Sequence, residues 1–130
     1  MNEMLTAIES EEAPRAIGPY SQGLRVGQWL FLSGQIPLDP ADGVLCAGEV
    51  VGQTVRVMDN LTAVLAEAGA GWQQVVKTTI YLVDMEDFAT VNGVYARYVQ
   101  SPYPARSTIG VAALPRGARV EIDAVAWLPA

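Results

Sequence analysis

Only two stretches of this 130-residue chain carry helical periodicity, and both lie among β-prone runs. From about Glu49 to Ala68, the apolar residues Val50, Val57, Met58, Leu61, Val64, Leu65 and Ala68 recur at spacings of three and four, one face of an amphipathic helix. Gly69-Ala70-Gly71 supplies the stop, because glycine accepts the left-handed backbone common just past a helix end. A second helix follows Asp84, a suitable N-cap, with Glu86 and Asp87 near the positive end of its dipole. Its apolar face is Phe88, Val91, Val94, Tyr95 and Tyr98. Gly93 in its interior costs about 1 kcal/mol against alanine and predicts close packing at that point.

Around these helices the pattern is that of strands. Gly23–Val26 and Trp29–Ser33 flank Gly27-Gln28 and predict a hairpin with a two-residue loop. Val75–Val83 is β-branched and short, a strand buried on at least one face. A further strand follows Arg106, and another runs from Ala118 to Trp127 after a turn at Leu114-Pro115-Arg116-Gly117. Residues 1–12 are expected to wrap loosely, Pro37–Gly43 to form a loop, and Val44–Cys46 offers room for one short extra strand. Two helices can cover only one face of such a mixed sheet. The class is therefore α+β, a single domain over residues 1–130. The uncovered face would carry Trp127, Val125, Tyr81 and one side of Trp29–Phe31, which predicts a closed homo-oligomer.

Composition narrows the chemistry. The chain has no histidine and one cysteine, Cys46, so zinc sites, Ser-His or Cys-His nucleophiles and an internal disulfide are excluded. No metal or other cofactor is expected, and Cys46 has no neighbouring cation to activate it. A net charge of -6 with 8 Lys and Arg opposes broad contact with nucleic-acid phosphates, so no nucleic-acid partner is expected. No apolar run approaches the roughly 20 residues that cross a bilayer, and Met1–Glu12 lacks the features of a signal peptide. The expectation is a cytoplasmic protein without membrane association.

Arg106 is the leading candidate for recognising a carboxylate. Pro104 delivers the chain stiffly to it, and its fork of donors matches a carboxylate in a way lysine does not. An ordinary surface arginine or a salt bridge explains it equally well. Glu121 lies mid-strand on the less apolar face, able to orient or deprotonate a water if burial raises its pKa, or to pair with a cross-strand cation. Tyr20, in Ile17-Gly18-Pro19-Tyr20-Ser21-Gln22, either closes a pocket or packs at a strand start. Ser33-Gly34 ends a strand where glycine lets a ligand approach the backbone. Asn92 is placed to hydrogen-bond a loop or a ligand, and Phe88 to serve as core or pocket wall.

Six segments, in this order, resemble the RidA (YjgF-like) reactive intermediate deaminase family: Ala16–Gln22, Ser33–Pro37, Val76–Thr79, Asp84–Asn92, Pro104–Ser107 and Val120–Ile122. The resemblance spans nearly the whole chain. It implies a chorismate-mutase-like α+β subunit, a homotrimer whose sheets form an inner barrel, and a ligand site at each of three subunit interfaces. It also implies hydrolysis of small 2-imino acids, or their 2-enamine tautomers, to 2-oxo acids and ammonia. Arg106 would hold the carboxylate, Glu121 would position water, and Ser33 and Gly34 would contact the polar end. Tyr20, Phe88 and Asn92 would shape the pocket. Thr108 stands where the best-known deaminases of the family carry cysteine, a pocket-lining change expected to alter substrate preference. An endoribonuclease activity, attributed to some relatives, and a non-enzymatic carboxylate-binding or chaperone trimer are the competing functions.

A question of register remains. Paired as a hairpin about Pro115-Arg116, the last two strands would set Arg106 opposite Val125, leaving Glu121 roughly 13 Å away. Arg106 and Glu121 can then share a site only if the strands pair otherwise or the site spans a subunit boundary.

Overall fold

The computed structural model describes residues 4–129. Six strands form one mixed sheet: β1 (Leu5–Ile8), β2 (Gly23–Val26), β3 (Trp29–Gln35), β4 (Val75–Leu82), β5 (Ala105–Gly110) and β6 (Val120–Trp127). Their spatial order is β1-β2-β3-β6-β4-β5, with β4 and β5 parallel and every other pair antiparallel. Helix α1 (Val50–Glu67) and helix α2 (Phe88–Tyr95) complete the fold.

The α1 stripe behaves as its spacing predicts: Val57, Met58, Leu61, Val64 and Leu65 are fully buried against Leu30, Ile80 and Ile122 of the sheet. Each such side chain removed from water contributes about 1.5–3 kcal/mol. Its end is a Schellman closure, with Gly69 at φ +76 and the Ala70 amide donating to the Leu65 carbonyl at 2.9 Å. The β2–β3 hairpin is also as expected, with Val26 opposite Trp29 and Gly27 at φ +60 in the loop.

Four expectations need correction. Residues 5–8 do not wrap loosely; they form β1, in register with β2 from Leu5↔Val26 to Ile8↔Gly23, while residues 1–3 lie outside the described residues. The stretch near Val44–Cys46 makes a single bridge, Leu38↔Leu45, rather than a strand. Asp84 caps a short 3₁₀ turn over Met85–Asp87, accepting from the Glu86 amide at 2.9 Å, and α2 begins only at Phe88. Gly93 is not closely packed, since a β-carbon there would meet nothing within 4 Å beyond its chain neighbours and its own helix backbone.

The open question of register is answered by the last strands. β5 and β6 are not a hairpin, because β4 lies between them. The connection through α2 returns the chain beside β4 in parallel, as a crossover through a helix allows. The Pro115–Ala118 segment that follows makes a tight turn without bringing β5 and β6 together.

Both helices cover the face that carries Leu30, Leu32, Thr78, Ile80, Ile122 and Ala124. On the other face Trp29, Phe31 and Trp127 remain 42–46% exposed, with Trp29 and Trp127 packed edge to face at 4.8 Å. A sheet with an apolar, uncovered face is what two helices on one side predict. No helix among the described residues is long and apolar enough to cross a membrane.

Candidate functional site

The sheet register places Arg106 beside Thr78, and Thr78 beside Ala124 of β6. Thr78 and Ala124 are buried under the helices, so Arg106 rises on the helix-covered face, at its open edge. There α2 meets it. Asn92 Oδ1 accepts a 2.7 Å hydrogen bond from Arg106 Nη1, and the guanidinium carbon lies 5.7 Å from the Phe88 ring centre and 5.1 Å from that of Tyr95. Both separations are within cation–π range. Tyr95 is itself fixed, because its hydroxyl shares a 2.7 Å hydrogen bond with the buried Thr78 hydroxyl. Burial holds its pKa above the ordinary value in spite of Thr78 and Arg106, which act the other way. Arg106 is thus held by three residues of one helix without a carboxylate partner among the described residues. Beside it Asn92, Tyr95, Tyr103 and Pro104 line a cleft of about 500 Å³.

Glu121 belongs to the opposite face. Its register neighbour on β4 is Tyr81, and its side chain lies over Gly34 of β3, where a β-carbon would overlap the carboxylate. The close approach permitted by Gly34 is therefore made by Glu121, a use of the glycine that the chain pattern alone did not specify. Burial, and then the neighbouring Asp123 carboxylate, raise the pKa of Glu121. Of the two readings of Glu121, the cross-strand cation has no counterpart among the described residues; the neighbouring Asp123 accepts a 3.0 Å hydrogen bond from the Tyr81 hydroxyl. Glu121, Gly34 and Tyr20 line one cleft of about 420 Å³, with Ile17, Ile36 and Arg116 on its walls.

Tyr20 reaches this cleft because the segment before it is clamped. Gln22, 3% exposed, accepts from the Ser10 amide at 2.6 Å and donates to the carbonyls of Ser10, Ala13 and Pro14. One buried amide thereby fixes the irregular stretch that leads to Ile17 and Tyr20. Ser33 faces neither cleft freely: its hydroxyl donates to the Ser21 carbonyl at 2.6 Å. Thr108 shares the Arg106 face two residues along, and its hydroxyl oxygen is enclosed without a hydrogen-bond partner among the described residues.

The candidate residues thus fall into two groups. Arg106, Asn92 and Phe88 come together on the helix-covered face, and Tyr20, Gly34 and Glu121 on the open one. Tyr95 and Gln22 were not singled out as site residues from the sequence. The hydroxyl that Tyr95 carries on an apolar helix face was the available signal, since a buried phenol needs a partner. Among the described residues no group of three or more acidic or cysteine side chains could hold a metal ion.

The family model described as Endoribonuclease L-PSP matches residues 10–128. Protein DfrA of Myxococcus xanthus is 57% identical over 92% of this chain and 93% of its own length. A mouse protein named 2-iminobutanoate/2-iminopropanoate deaminase is 50% identical over 92% of this chain and 88% of its own. The crystal structure of a putative endoribonuclease from Thermotoga maritima superposes with a TM-score of 0.93 at 45% identity, covering 96% of this chain and 98% of that one.

Proposed function

Because the chain belongs to the RidA (YjgF-like) family, whose model carries the description Endoribonuclease L-PSP, we propose that it hydrolyses reactive 2-imino and 2-enamino acids to 2-oxo acids and ammonia. The observation that carries this reading is the fixed, acid-free guanidinium of Arg106, a ready receptor for a small carboxylate. The deaminase name of the 50% identical mouse relative supports it.

The chemistry needs little beyond placement. A protonated imine is already electrophilic at C2. With its carboxylate bidentate on Arg106, a water oriented by Glu121 adds to C2 and gives a proton to the Glu121 carboxylate. Glu121 returns it to the nitrogen and takes up the hydroxyl proton as the carbonyl forms. The C2–N bond then breaks to release ammonia and the 2-oxo acid. A glutamate whose pKa burial raises above the ordinary carboxylate value suits that proton transfer. No nucleophilic side chain is required, in keeping with a chain that lacks histidine.

Arg106 and Glu121 stand on opposite faces of one sheet, so the reading includes an assembly. We propose a homotrimer packed through the open face, each site formed from the Arg106 group of one protomer and the Glu121 group of the next. The exposed Trp29, Phe31 and Trp127 supply the apolar area such packing buries.

The test is a coupled assay in which a threonine or serine dehydratase releases free imine. The protein should accelerate keto-acid formation, and Arg106→Lys, which keeps the charge but not the planar fork, should abolish the acceleration. No acceleration at micromolar protein would end the deaminase reading. RNA cleavage lost in Arg106→Ala would establish the endoribonuclease reading in its place.

A further inference from the structure

Arg116 keeps a backbone conformation that its residue type disfavours. It lies at φ 59, ψ 19, and Gly117 follows at φ 74. With the Ala118 amide donating to the Pro115 carbonyl at 3.1 Å, this is a turn of the I′ kind, whose central positions favour glycine and asparagine. Arg116 is the sole non-glycine residue with positive φ among the described residues. Strain of this sort clusters at active sites and ligand clamps.

That side chain lies on the wall of the Glu121 cleft. Its Nη1 donates to the Gly43 carbonyl at 2.8 Å, which fixes the arm between the turn and the Pro37–Gly43 loop. One donor of five is committed, and among the described residues no carboxylate pairs with it; the one ion pair there joins Arg119 to Asp87. Arg15 stands on the same cleft. Glu9, Glu11 and Asp42 border the neighbouring grooves on the Arg15 side, none of them within ion-pair distance of it. A chain of net charge -6 therefore gathers two of its eight cationic side chains on one small cleft. At about 420 Å³ the cleft is within the range of small-molecule sites and roomier than a three-carbon acid requires.

We infer that this cleft takes a second anionic group and that Arg116 recognises it, so that the preferred substrates are 2-imino dicarboxylates. The inference rests on the deaminase reading and narrows its substrate class. One carboxylate sits on Arg106 of the adjoining protomer and the other on Arg116. Water adds to C2 between them, ammonia departs, and a 2-oxo dicarboxylate remains.

The test compares 2-iminosuccinate, released from D-aspartate by a flavin oxidase, with 2-iminopropanoate released from D-alanine. The wild type should favour the dicarboxylate in kcat/KM by about tenfold or more, the size expected for a charge-assisted hydrogen-bonded contact. Arg116→Gly, which suits the turn better and so should melt no lower than wild type, should reduce that ratio by about the same factor. Arg116→Lys should fall between. A ratio unchanged by Arg116→Gly, or a wild type that favours the monocarboxylate, overturns the inference. Calorimetric binding of oxaloacetate against pyruvate separates the two readings. If neither imine is hydrolysed faster, the deaminase reading falls, while a preference for oxaloacetate that Arg116→Gly removes still establishes the anion site. Equal binding of the two acids overturns it.

Discussion

Arg106 and Glu121 lie on opposite faces of the same sheet, two strands and three register positions apart. At ordinary strand rise and spacing their α-carbons are about 14 Å from one another. Neither rotamer changes nor loop motion brings two side chains through a sheet. Any chemistry that uses both therefore draws them from different copies of the chain.

Mixed assembly tests this directly. Co-refolded Arg106→Ala and Glu121→Gln chains, each inactive alone, should recover about a quarter of wild-type activity, since in a random mixture about one interface in four pairs an intact Arg106 with an intact Glu121. Recovery should vanish when both substitutions are carried on every chain. No recovery in demonstrably mixed oligomers would place the two groups in separate roles.

Gly34→Ala should separate folding from turnover. Gly34 lacks a positive φ, so alanine is tolerated by the backbone, but its β-carbon would occupy the place of the Glu121 carboxylate. Displacing a catalytic group by about 1 Å costs on the order of 100-fold in rate. The expected result is a large fall in kcat with a melting temperature close to wild type, measured by the imine assay and by thermal unfolding.

The raised Glu121 pKa fixes the sign of a pH effect. The native chain holds that proton more tightly than the unfolded chain, so the stabilisation is complete below the ordinary value of 4.5 and is lost as pH rises through the native pKa. Glu121→Gln removes the ionisation. Its melting temperature relative to wild type should climb as pH increases from below 4.5 and then level off; a relative melting temperature that declines over that range would contradict the assignment.

Gln22→Leu should destabilise strongly. It leaves the Ser10 amide and the Pro14 carbonyl without their partner in a buried setting, at about 1–3 kcal/mol for each unsatisfied group. Because the same amide orients the approach to Tyr20, KM should rise in whatever fraction stays folded. Equilibrium urea unfolding alongside steady-state kinetics distinguishes the two effects.

Much of this was written locally in the chain. The three-and-four spacing of α1, the Gly69 stop and the Gly27 hairpin are short-range signals, and each acts within a few residues of where it is found. The identity of β5's neighbour is not such a signal. Pro115-Arg116-Gly117 looks like a hairpin turn whichever strands it joins, and only the return of the chain through α2, packed on α1, sets β5 beside β4. The same long-range choice turned Arg106 toward Asn92 and Tyr95 and away from Glu121. β1 was hidden for another reason: a four-residue edge strand with polar neighbours has little periodicity to display. Gly93 misled because a helix-interior glycine suggests a close neighbour, and here the position is open to solvent.

The guanidinium fixed by Asn92, Phe88 and Tyr95 has one more implication. A carboxylate receptor organised in advance grips the acid group equally well before and after hydrolysis, because that group is unchanged by the reaction. Such contact raises kcat/KM, and so governs the rate at the low imine levels a dehydratase supplies, without raising kcat. The keto acid should therefore compete with its own precursor, so that turnover slows as product accumulates even while kcat is unchanged.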